Sequence, residues 1–435
     1  MKQVVFRVVL LSALACAAQD NALVLRGRVT SEGGGVPYAT LQLVGTSVGV
    51  SCNDAGEYEL KVPIGCEADT VVVRSVGYET KHFAVRDLLQ RGRVRLCQQS
   101  VELREVRVKS YRHASQLIKD AVARIGSNYH RRSFYGTFFC RDWRSLDDEL
   151  YLYDEAVMNI RRTGYQDFAD KRVYQFEPGI RELDGNSKSL LRHRLLVYDR
   201  RQLENALSNR DGVDEMLGYN DNTSFLDPVA TPQATYMLAK RIMRYHKFEP
   251  ILEFEWDGEL YYRVRSEGPG RLSNAKIHYE YLIRKSDLAI IRITSSQERI
   301  GQLAPQDAWV NPWFTWLTFD ADTSAWEYDV RDGRYTLTHY YNYRHFHLGS
   351  KGRGHDGEYQ YWRQCLDWTL TDFAYEPDTS AGDELDVMPQ TLSGAFGASD
   401  YSADYWGRYN SIPIDTLPLQ LLKDKYNKNM SDEKD

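Results

Sequence analysis

The 435-residue chain is short of the features that announce a chemistry. It has six cysteines, and their spacing fits no zinc-ligand template. No run of about 18 apolar residues follows the first segment, so no membrane helix is expected. There is no basic excess: net charge is −6, with 55 Lys and Arg against 61 Asp and Glu. Nucleic acid is therefore excluded as the main partner, because phosphate binding needs a basic stripe. Also missing are the Gly-x-Ser-x-Gly elbow, a dinucleotide fingerprint and a phosphate loop. We expect no cofactor and no catalytic residues.

What is present is β structure with an export tag. Thirty tyrosines and a hydrophobic fraction of 42% favour strands and sizeable cores. The start carries Lys2 and Arg7, an apolar run from Val8 to Ala15, and the small residues Ala15-Cys16-Ala17-Ala18. That pattern predicts a signal peptide over 1–18. The alternative is a lipoprotein acylated at Cys16, against which Ala13-Leu14-Ala15 is a poor lipobox. Cys52, Cys66, Cys97, Cys140 and Cys365 remain. Five is odd, so at least one thiol is left over, and free buried thiols are the expected state.

Residues 45–78 are the most informative stretch. Asn53-Asp54-Ala55-Gly56 is a turn. Tyr58, Leu60 and Val62 then alternate with Glu57, Glu59 and Lys61, which predicts a half-buried strand. Val71-Val72-Val73 reads as a strand buried on both sides. Further strands are expected at Leu23–Val29, Ala39–Val44 and around Val94 and Leu96, split by Gly33-Gly34-Gly35 and Pro37.

These residues resemble the carboxypeptidase regulatory-like domain, a transthyretin-like sandwich. The likeness runs through Gly27-Arg28-Val29, Val36-Pro37-Tyr38-Ala39-Thr40, Gly45-Thr46-Ser47-Val48-Gly49, Asn53-Asp54-Ala55-Gly56-Glu57-Tyr58 and Ser75-Val76-Gly77-Tyr78-Glu79. It implies an accessory or interaction module with no catalytic centre, of the kind found in envelope proteins of Gram-negative bacteria. The next stretch, Val101 to Val108, is similar to the segment by which transporters with this domain engage their energising partner. A plain linking strand is the simpler reading, since no transporter comes after it.

The expected fold is therefore mainly β with minor α. A transthyretin-like sandwich (22–98) is followed by a linker strand and amphipathic helix (99–128). A larger antiparallel β-rich domain with helices (129–390) and an aromatic C-terminal tail (391–435) complete it. Ser115 marks the helix start, with Ala114, Leu117, Ile118, Ala121, Val122 and Ile125 on one face. Residues 177–230 read as short helices in long loops, and Thr231-Pro232 opens another helix. Asp257-Gly258 and Asp332-Gly333 mark tight hairpins, Lys285-Ser286-Asp287 a third, and Asp356-Gly357 another turn. Asp147-Asp148-Glu149 reads as a polar loop. A membrane barrel is not expected, because several strands put Arg, Glu or His on both faces. Residues 254–296 loosely resemble the curved sheet of periplasmic lipoprotein carriers. Tyr405, Trp406 and Tyr409 are expected to dock the tail back onto the body.

Candidate site residues are few. His246-Lys247-Phe248-Glu249 matches the two-ligand zinc pattern of metallocarboxypeptidases, but no third ligand or general base accompanies it. His339, His345 and His347 share parity on one strand, the last two about 7 Å apart, and could hold a metal. A tyrosine–histidine surface is the plainer reading, so no metal is assigned. The acid pairs Asp147/Asp148 and Asp320/Asp322 sit in apparent loops. The expected function is non-catalytic: an exported binding or structural accessory protein at the periplasm or the periplasmic face of the outer membrane. Its partner would be an envelope protein, glycan or lipid. The alternatives are an envelope hydrolase with a site in the second domain, and a lipid or lipoprotein carrier with a concave apolar sheet.

Overall fold

The computed structural model describes residues 22–98, 114–132, 134–162, 164–165, 179–181, 227–229, 238, 245–269, 275–302, 316–349, 359–375, 386–387, 409–421 and 423. The expected signal peptide, the 101–108 strand, the helices near 200 and 231 and the Asp356-Gly357 turn lie outside them, apart from Leu238 and Tyr245. The chain divides into two compact units, Met1–Ser100 with Ser402–Thr416, and Val101–Tyr401 with Leu417–Asp435.

The first unit is a sandwich. One sheet joins β1 (Ala22–Ser31), β2 (Gly34–Gly35), β5 (Glu57–Pro63) and β8 (Arg93–Arg95). β1 is central, with β5 and β2 antiparallel and β8 parallel to it. The other sheet has the order β4–β3–β6–β7, from β3 (Thr40–Leu43), β4 (Gly49–Ser51), β6 (Thr70–Arg74) and β7 (Lys81–Ala84). A short helix, α1 (Val85–Arg91), connects β7 to β8 and buries Val85 and Leu88. Leu25, Val29, Leu41, Leu43, Leu60, Val71, Val73 and Val94 are all at most 1% exposed. Each contributes about 1.5–3 kcal/mol on burial. Gly56 takes φ +80°, and a Cβ there would stand 2.3 Å from the Val29 carbonyl oxygen. The Asn53–Gly56 turn can press against β1 only because that side chain is missing.

Alternation explains β5 except at one position. Tyr58, Leu60 and Val62 are buried, as period two requires, but the outward Lys61 is only 8% exposed. Its cover comes from the far end of the chain. Tyr409, Asn410, Ile412 and Asp415 belong to the first unit, and the last three are buried. The boundaries drawn from sequence set 391–435 apart as one tail. In the structure residues 409–416 complete the sandwich instead, through side-chain hydrogen bonds that leave no periodic trace.

The second unit is built on one long antiparallel sheet. Its strands are β9 (Phe134–Leu146), β10 (Glu149–Arg162), β11 (Gly179–Arg181), β12 (Lys247–Phe248), β13 (Leu252–Trp256), β14 (Glu259–Pro269), β15 (Ala275–Arg284), β16 (Ile290–Gln302), β17 (Trp316–Arg331), β18 (Arg334–Gly349), β19 (Tyr359–Tyr375) and β20 (Asp386–Val387). Among the described residues the order runs β12–β14–β15–β16–β17–β18–β19–β9–β10–β11–β20, with β13 on β14. Asp257-Gly258 and Asp332-Gly333 both have positive φ at both positions, the tight turns expected from their sequence. Asp147-Asp148 forms the same kind of turn without glycine, φ 48° and 64°, rather than a loose loop. Asp is among the few residues that tolerate this conformation. Asp147 is held by accepting the Tyr361 N–H at 2.8 Å, and Asp148 pairs with Arg363.

Helix α2 (Ala114–Ala123) and the single turn α3 (Ile125–Asn128) pack on one face of this sheet. Leu117, Ile118, Ala121 and Ile125 fall at helical spacing and are buried against Phe134, Phe138, Tyr281, Ile293, Trp326 and Trp368. Ser115 lies inside this helix instead of capping it. No helix among the described residues is long and apolar enough to cross a membrane.

Candidate functional site

The sheet buries charge on the face away from α2. β17, β18, β19 and β9 are in register there, so Glu327, His339, Thr369 and Phe139 stand side by side, with Arg292 of β16 next to Glu327. One step along, Tyr341, Asp367 and Arg141 form the next row. His339, Asp367 and Arg141 are at most 2% exposed. The His339 Nε2 lies 3.0 Å from Asp367 Oδ1, and its Nδ1 lies 3.5 Å from Glu327 Oε2. Glu327 Oε1 in turn meets the Arg292 Nε at 3.3 Å. Across the two rows the ion pairs form a chain, Arg292, Glu327, His339 and Asp367, with charges alternating in sign.

Burial opposes the charged imidazole, but the two carboxylates, Asp367 first, outweigh it and raise the His339 pKa to about 10. Burial likewise opposes the charged Glu327, but Arg292 and His339 outweigh it and bring that carboxyl down to about 2. His339 is thus an imidazolium at neutral pH, with a carboxylate at each nitrogen. A ring whose charged form is favoured in this way is a poor general base. Its chemistry here is charge balance.

The other two candidate histidines lie elsewhere. His345 is six residues from His339 along β18, about 20 Å by strand rise. A bulge in β17 between Phe319 and Ala321 turns Asp320 towards the pair. Asp320 Oδ2 is 2.9 Å from His347 Nδ1 and 3.8 Å from His345 Nε2. Tyr361 packs against both rings. Burial, then the nearby Arg363, lowers the His345 pKa. The three histidines share parity along β18, but the fold does not bring them together. Among the described residues no group of three His, Cys, Asp or Glu is arranged to hold a metal ion.

His246 is a core residue, stacked on Tyr279 and 3.3 Å from the Ser266 hydroxyl. Glu249 is exposed and makes no zinc pair with it. Of the acid pairs, Asp322 faces Arg344 at 3.4 Å while Asp320 faces the histidines. All five described cysteines are free thiols; Cys52, Cys140 and Cys365 are buried.

Two polar clusters had no sequence motif. In the α2-covered core Asp227, 1% exposed, accepts hydrogen bonds from Tyr165 at 2.8 Å and Tyr328 at 2.7 Å. On the sandwich, the Asn410 side chain bonds both main-chain groups of Lys61. The only signal for Glu327, Asp367 and Asp227 was a charge inside an otherwise apolar or aromatic stretch.

A family model described as CarboxypepD_reg-like domain matches residues 25–108. The first unit is thus a CarboxypepD_reg-like β domain, and a larger β-rich domain comes after it. No curated protein matches the chain. Among solved structures, a LolA superfamily protein from Nitrosomonas europaea aligns at 11% identity over 60% of this chain and 94% of that one, with a TM-score of 0.19. A protein from Bacteroides fragilis, of unknown function and described as membrane-associated, aligns at 7% identity over 82% of this chain and 99% of that one, with a TM-score of 0.13. Likeness at that level carries no argument about fold or function.

Proposed function

We propose that this is a non-catalytic accessory protein of the Gram-negative cell envelope. On this reading the N-terminal sandwich is a docking module and the long-sheet domain is a second binding body. The observation that carries the proposal is the CarboxypepD_reg-like domain at residues 25–108, whose resemblance implies an accessory or interaction module. The non-catalytic part is supported by His339, whose two nitrogens both face carboxylates. The chain would be exported by cleavage after Ala17 or Ala18, or anchored through Cys16, to the periplasm or the periplasmic face of the outer membrane. Its partner would be an envelope protein, glycan or lipid.

The test is fractionation of the producing cells, then mass spectrometry of the mature N-terminus and of co-purifying material. A processed chain in the envelope fraction with a stoichiometric partner is expected. An uncut chain in the cytosol overturns the address. Hydrolysis of envelope glycans or peptides that is abolished by His339→Gln, in a variant that remains folded, overturns the non-catalytic reading.

A further inference from the structure

The edge of β5 and the Asn53–Gly56 turn are already occupied, and the occupant has the character of a bound peptide. Among the described residues β5 is paired as a strand to β1 alone, so it is an edge strand whose outer side can take an extended segment. Residues 409–416, Tyr-Asn-Ser-Ile-Pro-Ile-Asp-Thr, lie along it. The Lys61 N–H donates to Asn410 Oδ1 at 2.6 Å, and Asn410 Nδ2 donates to the Lys61 carbonyl at 3.3 Å. One side-chain amide thus supplies the donor and acceptor that a neighbouring strand would supply. Lys61 Nζ donates to the Tyr409 carbonyl at 2.5 Å.

The turn completes the grip. Asn53 Nδ2 donates to the Ile414 carbonyl at 2.9 Å. The Asp54 N–H donates to Asp415 Oδ1 at 3.0 Å, while Asp54 Oδ1 accepts from the N–H and hydroxyl of Thr416 at 2.8 and 3.0 Å. Ile412 is the apolar anchor, 3% exposed. It precedes Pro413, which biases it to extended backbone before any contact forms. The segment lies about 350 residues from its site in sequence, so it reaches the site as a tethered ligand and not as part of a local motif.

We propose that this edge and turn form a recognition site for an extended segment of the pattern Asn-x-Ile-x-x-Asp, and that residues 409–416 are its resident, displaceable plug. A partner protein carrying such a segment binds here by exchange with the plug. Tethering gives the plug a high effective concentration, so the partner competes only when the plug loosens. The inference rests on the sandwich being a binding module. Failure of peptide binding in a chain that fractionates with the envelope removes this site alone. A cytosolic chain removes that module's proposed setting but leaves peptide binding measurable.

The experiment uses the full chain with Asn410→Ala and Asp415→Ala, which weaken the plug, and a fluorescent peptide of residues 407–418 monitored by anisotropy. Saturable binding at least tenfold tighter than to the unaltered chain is expected. Adding Asp54→Ala to the protein, or Asn410→Ala to the peptide, should each weaken it at least fivefold. No binding by a variant that keeps its circular dichroism and melting profile overturns the proposal, and so does binding indifferent to both changes. A second measurement covers a variant that fails to fold. In the unaltered chain, the Lys61 and Asp54 amides should exchange at least a hundredfold faster than the β1–β5 ladder amides, through local opening. Equal rates would mean that the plug leaves only on global unfolding, and would overturn it.

Discussion

The sandwich and the long sheet treat polar groups in opposite ways. The sandwich buries little charge, and at its rim Asn53, Asp54 and Lys61 bond residues 409–416. The long sheet takes charge inside: Arg141, Arg144, His339 and Asp367 are at most 2% exposed. Short strands in two facing layers can give every apolar side chain a partner by alternation alone. Strands of 13 to 17 residues, as in β9 and β17–β19, cross too many environments for one pattern to hold. Part of their buried charge, Arg292, Glu327, His339 and Asp367, is held as ion pairs alternating in sign. The first unit is thus held mainly by an area-dependent effect, and the second adds an electrostatic one that pH can reach.

The sharpest way to break that contrast is His339→Leu. It leaves Glu327 and Asp367 facing an uncharged side chain, and removing one member of a buried ionic set costs about 3–5 kcal/mol. Urea unfolding of the full chain should show a loss of that order in the second unit, with the sandwich transition unmoved. A loss below about 1 kcal/mol would mean that the row is incidental.

Next is pH. The His339 pKa is raised from 6.5 to about 10. The stabilisation linked to its charge is therefore complete below pH 6.5 and is lost as pH rises towards 10. The Glu327 carboxyl is lowered from 4.5 to about 2. Its contribution is complete above pH 4.5 and is lost as pH falls towards 2. The urea midpoint of the second unit should thus fall on both sides of a plateau, and His339→Gln should flatten the alkaline limb specifically.

Gly56→Ala tests the sandwich. The left-handed φ and the 2.3 Å approach to the Val29 carbonyl together predict a loss of about 2–3 kcal/mol, read as a lower melting temperature of the first unit alone. The smallest effect is expected at Arg26→Ala. Arg26 pairs with Glu59 at 2.8 Å, but its side chain is 71% exposed, and such surface pairs contribute at most about 1 kcal/mol. A larger loss there would blur the distinction between the two units.

Legibility split along the same divide. Tyr58, Leu60 and Val62 announced β5, Asn53–Gly56 its turn, and Asp257-Gly258 and Asp332-Gly333 their hairpins, because each signal is carried by neighbours in the chain. β4, β7 and α1 escaped, being too short for a period to show. At the candidate site, the parity of His339, His345 and His347 was readable. The partners of each were not, since they depend on a bulge at Asp320 and on which strands flank β18. Asp227, held by Tyr165 and Tyr328, had no local signature.

Residue order was sufficient for the sandwich class, the α2 helix and the antiparallel character of the second unit, since strand period, turn chemistry and helix face are properties of adjacent residues. Only the folded chain decided that Asn410 completes the edge of β5, and that His339 stands between Glu327 and Asp367. Those contacts join positions 349 and 28 residues apart or lie across a strand register. A register is chosen by the packing of the whole sheet, and no single segment carries it.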